Sequence, residues 1–527
     1  MTPDPAERAR ARTLLRDGRI DAAVTALESM LREVPADPDL NTLLGQAYLA
    51  RGDTESALDH FNLGLHYDPE SEAALRGRVE ALDRRGEEAR ATGAYEDFLA
   101  ANPGHRGATV ALAWRQYRRG RRDSAAELLE ALIVRDASAK EGLSLLGLVL
   151  AREFGDFARG ETLLRRALEV DPGFDAARSN LGWVLGEGRR FGEALACFDE
   201  VLARRPDDHE TRLMRAHLNL KRGEFAAAWD DFEARHESMD ALERPFAFRR
   251  WRGELLDRRA LLVTAEQGIG DQIMFASCLP DVLACAQGGR CWVEAEPRLV
   301  TLFARSFLSA SVRASVLNEP SVPWLAQTGE IDFQIPIGSL PAMFRRSRAA
   351  FPDHRGYLRA DPQRVAYWRR RLSECGPPPW IGISWRGGAP TNRRHLRSID
   401  FHLLLASLRG CGTAISLQYG DCAEEVARSS APGNTRVPHW PEALADYDET
   451  AALVCALDRV VSVCTAIVHL AGALGQPVWV LVPWAPEWRY LAEGQTMPWY
   501  PSARLFRQDT PGDWEGVLHR VHEEFMA

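Results

Sequence analysis

The residues with the most chemical promise lie between Val460 and Val482. Val460-Val461-Ser462-Val463 reads as a buried strand, Cys464-Thr465-Ala466 as a tight turn, and 467–474 as a short helix ended by Gly475. A strand that turns directly into a helix aims the free N–H groups of the first helical turn out of the strand ends. That makes an anion site, worth roughly 0.3–2 kcal/mol from the helix dipole alone. Thr465 adds a hydroxyl, and His469 sits one turn inside an otherwise apolar helix. The histidine reads either as structural or as a phosphate contact.

Two further segments offer complementary groups. Ile381-Gly382-Ile383-Ser384-Trp385-Arg386-Gly387-Gly388 is a strand running into a glycine-rich loop, with Arg386 where strand meets loop. Asn392, Arg393, Arg394, His395, Arg397 and Ser398 follow, either as a solvated basic loop or as phosphate contacts. Ser416-Leu417-Gln418 ends the next strand, and Gln418 could hydrogen-bond a base or ribose. Earlier, Gln267-Gly268-Ile269-Gly270-Asp271-Gln272 is a loop opening a helix. Asp271 there is either a helix cap or a carboxylate able to take a proton from an attacking hydroxyl. A nicotinamide dinucleotide fingerprint would need a third glycine where this chain has Ile273.

Composition narrows the chemistry. Only two lysines, Lys140 and Lys221, stand against 63 arginines, so no Walker loop, Schiff base or catalytic lysine lies in 222–527. Genomic codon bias accounts for the imbalance, yet any fixed positive charge for phosphate must then come from arginine. The net charge of −9 argues against a broad grip on nucleic acid. Nine cysteines, with no C-x-x-C, fit neither a disulfide framework nor a zinc site. No cluster of carboxylates is visible either, so no metal and no cofactor is expected. Free thiols and a start without an apolar core point to the cytoplasm. The apolar stretch 460–482 is long enough to span a bilayer, but His469, Gln476 and Pro477 inside it favour buried strand–helix–strand over a membrane span.

The elements that must position these residues fall into two classes. At roughly 150 residues per unit, 527 residues make three or four folding units. In the first 240 residues prolines recur at Pro35, Pro69, Pro103, Pro172 and Pro206, with Ala137 in the missing slot. Glycines recur at Gly18, Gly52, Gly86, Gly120, Gly155, Gly188 and Gly223. A period near 34 with amphipathic helices between the marks resembles the tetratricopeptide repeat, here as seven helix pairs. Such pairs stack into a superhelix with a concave groove, suited to a protein or peptide or else serving as a spacer. The chain then alternates strand and helix, with strands expected at 260–265, 291–294, 333–335, 380–384, 414–417, 459–463 and 478–482. That is an α/β region with parallel sheet. Pro377-Pro378-Pro379 reads as a hinge between two Rossmann-like halves, 245–375 and 376–527, which face a cleft.

The words WRGELL, AEQGIGDQIMFA, IGISWRGG, RSID, ISLQ, HLAGALGQPVWVLVPWAPEWRYL, PWYPSARLFRQ and GDW occur in this order across 245–515. Together they resemble bacterial proteins that join tetratricopeptide repeats to a GT-B-type glycosyltransferase domain, related to heptosyltransferases and, more distantly, to O-linked N-acetylglucosamine transferases. The resemblance implies a metal-independent, inverting transferase that moves a sugar from a nucleotide-activated donor to a hydroxyl of a protein held by the repeats. Flagellin is a candidate acceptor, because some such proteins modify it. It further implies Asp271 as general base, Thr465, Ala466 and His469 around the donor phosphate, and Arg386 near the phosphate-binding cation. Cys464 stands where the family usually has Asp, Glu487 where Asp is common, and Glu493-Gly494-Gln495-Thr496-Met497 replaces a usual Arg-x-Asp-Ser stretch. The first departure removes a negative charge beside the phosphate. It leaves open the alternative of a degenerate domain acting as a protein-binding adaptor.

Overall fold

The computed structural model describes residues 5–237, 246–286, 288–315, 323–388, 393–429 and 437–527. The boundary expected at 240–245, and Asn392, lie outside these residues. The chain divides into two compact units, Met1–Val184 and Leu185–Ala527, described separately below.

Fourteen α-helices run from Pro5 to Phe232 among the described residues, in short pairs such as Pro38–Arg51 with Thr54–Tyr67. Local chemistry sets their ends. Asp37, Asp53 and Asp208 accept the N–H three residues on, at 2.9, 3.1 and 3.0 Å, and so cap the helices they precede. Six of the seven recurring glycines take the left-handed conformation that closes the first helix of a pair, with φ between 71° and 91°. At the remaining repeat the left-handed residue is Arg189 (φ 62°) and not Gly188. The turn there is fixed by its place in the repeat, at some conformational cost to a side chain with a Cβ. In the first unit, Phe61 is wholly buried where a Cβ on Gly45 or Gly77 would meet its ring at 2.8 or 2.2 Å. Small residues at the helix crossings therefore let the pairs close.

The second unit holds the last repeat helices and two sheets. The first sheet has the order β1-β5-β2-β3-β4, all parallel: β1 (Arg249–Arg250), β2 (Ala260–Thr264), β3 (Arg290–Ala295), β4 (Ser311–Ala314) and β5 (Phe333–Pro336). The second has the order β10-β11-β9-β8-β6-β7: β6 (Trp380–Ser384), β7 (Thr413–Ser416), β8 (Arg459–Val463), β9 (Val478–Val482), β10 (Thr496–Met497) and β11 (Tyr500–Arg507). Only the β10–β11 pair is antiparallel. The seven strands expected from apolar runs are all present. β1, β4, β10 and β11 carry no such run and are additional. β2 and β9 are buried along their whole length, as parallel strands covered on both faces must be.

Two segments pack against parts of the chain far from them in sequence. The last repeat helices are built into the α/β core: Trp229, Phe232, Phe275, Trp488 and Trp499 share one aromatic cluster, and Trp229 Nε1 donates to the Arg345 carbonyl at 2.9 Å. Arg235 adds a 2.7 Å ion pair with Glu266, just after β2. The compact division accordingly falls inside the helix Asp175–Glu187, well before residue 240. The helix Pro362–Ser373 packs against Tyr447–Ala456. Trp368 Nε1 donates to Glu449 at 2.9 Å, and Arg364 pairs with the same carboxylate. Among the described residues no helix is long and apolar enough to cross a membrane, and 460–482 is strand–helix–strand.

Candidate functional site

β8, with valine at three of its five positions, leads through Cys464 and Thr465 into the helix Ala466–Ala473, an apolar segment buried on nearly every side. Three glycines set the approach of its neighbours. A Cβ on Gly472 would sit 2.3 Å from the Tyr500 ring, so glycine lets that ring lie against the helix. From there the Tyr500 hydroxyl is 3.1 Å from His469 Nδ1. A Cβ on Gly270 would lie 3.2 Å from the His469 ring and 3.4 Å from Ala466 Cα, so the helix Ile269–Phe275 of the first sheet's layer meets the start of Ala466–Ala473 almost backbone to backbone. Gly475 then turns the chain at φ 72°, where a Cβ would be 2.1 Å from the Arg355 carbonyl. Gly475→Ala combines left-handed strain with a backbone clash and is expected to cost about 2–4 kcal/mol, read from chemical denaturation of the full chain.

The meeting of these helices brings a chain of charges together. Arg489 Nε donates to Asp271 Oδ1 at 2.7 Å, and its Nη2 donates to the same oxygen. Arg489 Nη1 donates to Glu487 Oε2 at 3.2 Å. Arg397 Nη1 donates to Glu487 Oε1 at 2.7 Å and to the Cys464 carbonyl at 3.3 Å. The sequence Asp271–Arg489–Glu487–Arg397–Cys464 thus links the two sheet layers. Two carboxylates and two guanidinium groups balance in a place largely closed to water, and Asp271 and Arg489 side chains keep 18% and 15% exposure.

The neutral groups around this chain are held neutral by burial. Burial, aided by the Arg489 charge, pushes His469 down to about 3, so its imidazole stays uncharged near neutrality. Burial, with Glu487 nearby, pushes the Cys464 thiol up to about 12. Its Sγ lies 3.8 Å from the Leu481 carbonyl. Thr465 occupies the N-cap position of Ala466–Ala473, but its hydroxyl makes no cap bond and lies 3.1 Å from Ser462 Oγ. Capping of that helix end falls to no side chain at Thr465.

The expected site residues therefore separate into two groups. Asp271, Gly270, Cys464, Thr465, Ala466 and His469 come together. Arg386 and Gln418 meet each other instead, at the ends of β6 and β7. Gln418 Oε1 accepts from the Trp385 and Arg386 backbone N–H groups at 2.9 and 2.8 Å and from Ser384 Oγ at 3.2 Å, while its Nε2 donates to the Tyr419 carbonyl at 3.1 Å. The Arg386 guanidinium pairs with Glu425 at 2.9 Å and donates to the Asp421 carbonyl at 2.6 Å. In the loop, Gly268 is the N-cap residue of Ile269–Phe275, and Gln267 takes a left-handed φ of 60°. Gln272 is spent on structure: its Oε1 accepts from the Glu296 N–H at 2.8 Å.

Sequence reasoning assigned no role to Arg489 or Tyr500. The alternation Glu487-x-Arg489 after an apolar strand was the available signal for the first. For Tyr500 there was none, because its contact depends on Gly472 in the helix packed against the start of β11.

Comparison with known proteins follows the same division. Tetratricopeptide repeat models match residues 14–79, 151–218 and 110–173. Among solved structures, a tetratricopeptide repeat protein from Parabacteroides merdae is 18% identical with a TM-score of 0.36, covering 45% of this chain and 92% of its own. The APC/C hetero-tetramer Cut9–Hcn1 is 18% identical with a TM-score of 0.35, covering 43% of this chain; the match spans 45% of that chain, less than half its length. Protein FlbA of Caulobacter vibrioides is 32% identical over 418 residues, which cover 76% of this chain and 69% of FlbA. With identity at that level over more than two thirds of both chains, this protein, tetratricopeptide repeats followed by an α/β region of parallel sheets, belongs to the FlbA family.

Proposed function

We propose that the protein is a glycosyltransferase of GT-B type that moves a sugar from a nucleotide-activated donor to a hydroxyl of a protein acceptor held by the repeats, with flagellin the candidate acceptor. The observation that carries this reading is the contact of Ile269–Phe275 with Ala466–Ala473. It sets a carboxylate, Asp271, on the same charge chain as the strand–turn–helix Cys464–Thr465–Ala466. The acceptor hydroxyl gives its proton to Asp271 as its oxygen bonds to the anomeric carbon. The bond from that carbon to the phosphate oxygen breaks, and its electron pair leaves with the phosphate. Arg489, Arg397 and the first N–H groups of Ala466–Ala473 face the charge that develops there. Arg386, engaged by Glu425, supports the β6 loop in this scheme.

A second reading, a protein-binding adaptor with a degenerate domain, draws on Cys464 and on the full use of Gln418 by backbone groups. Calorimetric titration with UDP, GDP, CMP and dTDP separates the two. One nucleotide is expected to bind, and His469→Ala to weaken it about tenfold by loosening the helix start between Tyr500 and Gly270. Absence of binding by all four would favour the adaptor.

A further inference from the structure

Asp271 and Arg489 are 218 residues apart in the chain, yet the guanidinium places two of its N–H groups on one oxygen of the carboxylate. Oδ1 is thereby occupied as a proton acceptor, whereas Arg489 places no N–H on Oδ2. Glu487 and Arg397 continue the charge chain, and Arg507 lies beside it, donating to the Tyr490 carbonyl at 2.6 Å. Burial keeps His469 neutral and pushes the hydroxyls of Tyr490 and Tyr500 far up. Arg489 is also anchored independently of Asp271. Its Nη1 rests on Glu487 at 3.2 Å, Glu487 is in turn held by Arg397 at 2.7 Å, and the guanidinium lies over the Trp488 ring at 4.6 Å. It can therefore leave the carboxylate without leaving the site. Arg397, at the far end of the same chain, touches the Cys464 carbonyl next to the expected phosphate position.

Resting on the glycosyltransferase reading, we propose that Arg489 is a positioning residue shared between Asp271 and the donor phosphate: the phosphate competes for the guanidinium and, by drawing it away, frees Asp271 Oδ1 to accept the acceptor's proton. Transfer through Oδ1 would then wait for the donor, since that oxygen stays engaged until a phosphate arrives.

The pair can be tested without any transfer assay, by a double-mutant cycle on nucleotide affinity in the full chain. UDP, GDP, CMP and dTDP are titrated into the wild type, Asp271→Asn, Arg489→Met, the double variant and Arg489→Lys, with thermal melting as the check on folding. Asp271→Asn removes the competitor and is expected to tighten binding about tenfold; Arg489→Met is expected to weaken it about tenfold. In the double variant the tightening should vanish, and Arg489→Lys should recover part of the affinity. A purely structural ion pair would not make loss of Asp271 improve binding. If the wild type binds a nucleotide and Asp271→Asn binds it no more tightly, the sharing of Arg489 is wrong while the nucleotide site stands. If neither wild type nor Asp271→Asn binds any of the four, the donor reading falls and this proposal with it.

Discussion

Asp271→Asn is expected to reduce sugar transfer to the acceptor by roughly 10²–10⁴-fold, the usual contribution of a positioned general base. The substitution changes little else. Asn keeps the shape of the side chain and an oxygen that can still accept from Arg489, while losing the ability to take a proton. Gly268, whose missing Cβ would lie 3.5 Å from Asp271 Oδ2, leaves the loop room to keep its conformation. The loss should therefore fall on turnover alone, while nucleotide binding tightens about tenfold because the neutral amide competes less well than the carboxylate for Arg489. Mass spectrometry of the acceptor protein after incubation with the donor found by calorimetry reads the result. Glu487→Gln is the informative companion: it sits between Arg397 and Arg489 and touches neither reacting atom in the scheme, so it should lose less. Undiminished transfer by Asp271→Asn would assign the carboxylate to ion pairing alone.

How far the sequence leads depends on whether a feature is local. The repeat was legible because each turn is made within a few residues: an Asp before a helix, a left-handed residue after it. Even its irregularity obeys this logic, since Arg189 and not Gly188 takes the left-handed turn while its guanidinium stacks on Trp484 at 4.0 Å. The seven apolar strands were legible for a similar reason, being covered on both faces. β11 was not: it opens with Tyr500-Pro501 and carries Arg504 and Arg507, and its pairing with β9 begins only at Ala503, beyond the proline. β4 buries only Val312 and sits at a sheet edge. Within the site, Thr465, Ala466, His469 and Asp271 were marked by local strand–turn–helix patterns. The partner of Asp271 was not, because it lies 218 residues away in the layer of the other sheet. Gln418 shows the converse. At a strand end it looks available, and only the register of β6 beside β7 shows its amide already taken by Trp385, Arg386 and Tyr419.

Glu187→Gln is expected to destabilise the second unit by about 3–5 kcal/mol, the cost of leaving buried charge without its counter-ion. Glu187 and Lys221 side chains are only 7% and 8% exposed; the ammonium lies 2.5 Å from one carboxylate oxygen and Arg393 Nη1 lies 3.0 Å from the other. One carboxylate thus answers two cations, and Lys221 is one of only two lysines in the chain. Burial alone would raise the Glu187 carboxyl, but Lys221 and Arg393 overcome it and pull the group down to about 2. The direction fixes the pH dependence. A depressed carboxyl contributes stability above its unfolded value near 4.5, and that contribution is lost as pH falls from there toward 2. Over that window the wild type should lose about 3 kcal/mol from this group, and Glu187→Gln should not show that loss. Denaturant midpoints at pH 7 and pH 2 for both proteins measure it. The consequence reaches the site, because Arg393 starts the turn Arg394–Arg397 from a left-handed φ of 54°, and the last residue of that turn holds Glu487 and the Cys464 carbonyl. The Lys221 carbonyl meanwhile accepts from the Ala492 N–H at 2.7 Å, three residues after Arg489. A helix of the last repeat thereby sets the loops on either side of the charge chain. Loss of Glu187 should loosen nucleotide binding in step with stability, whereas an unchanged midpoint at pH 7 would show that Lys221 and Arg393 find other partners.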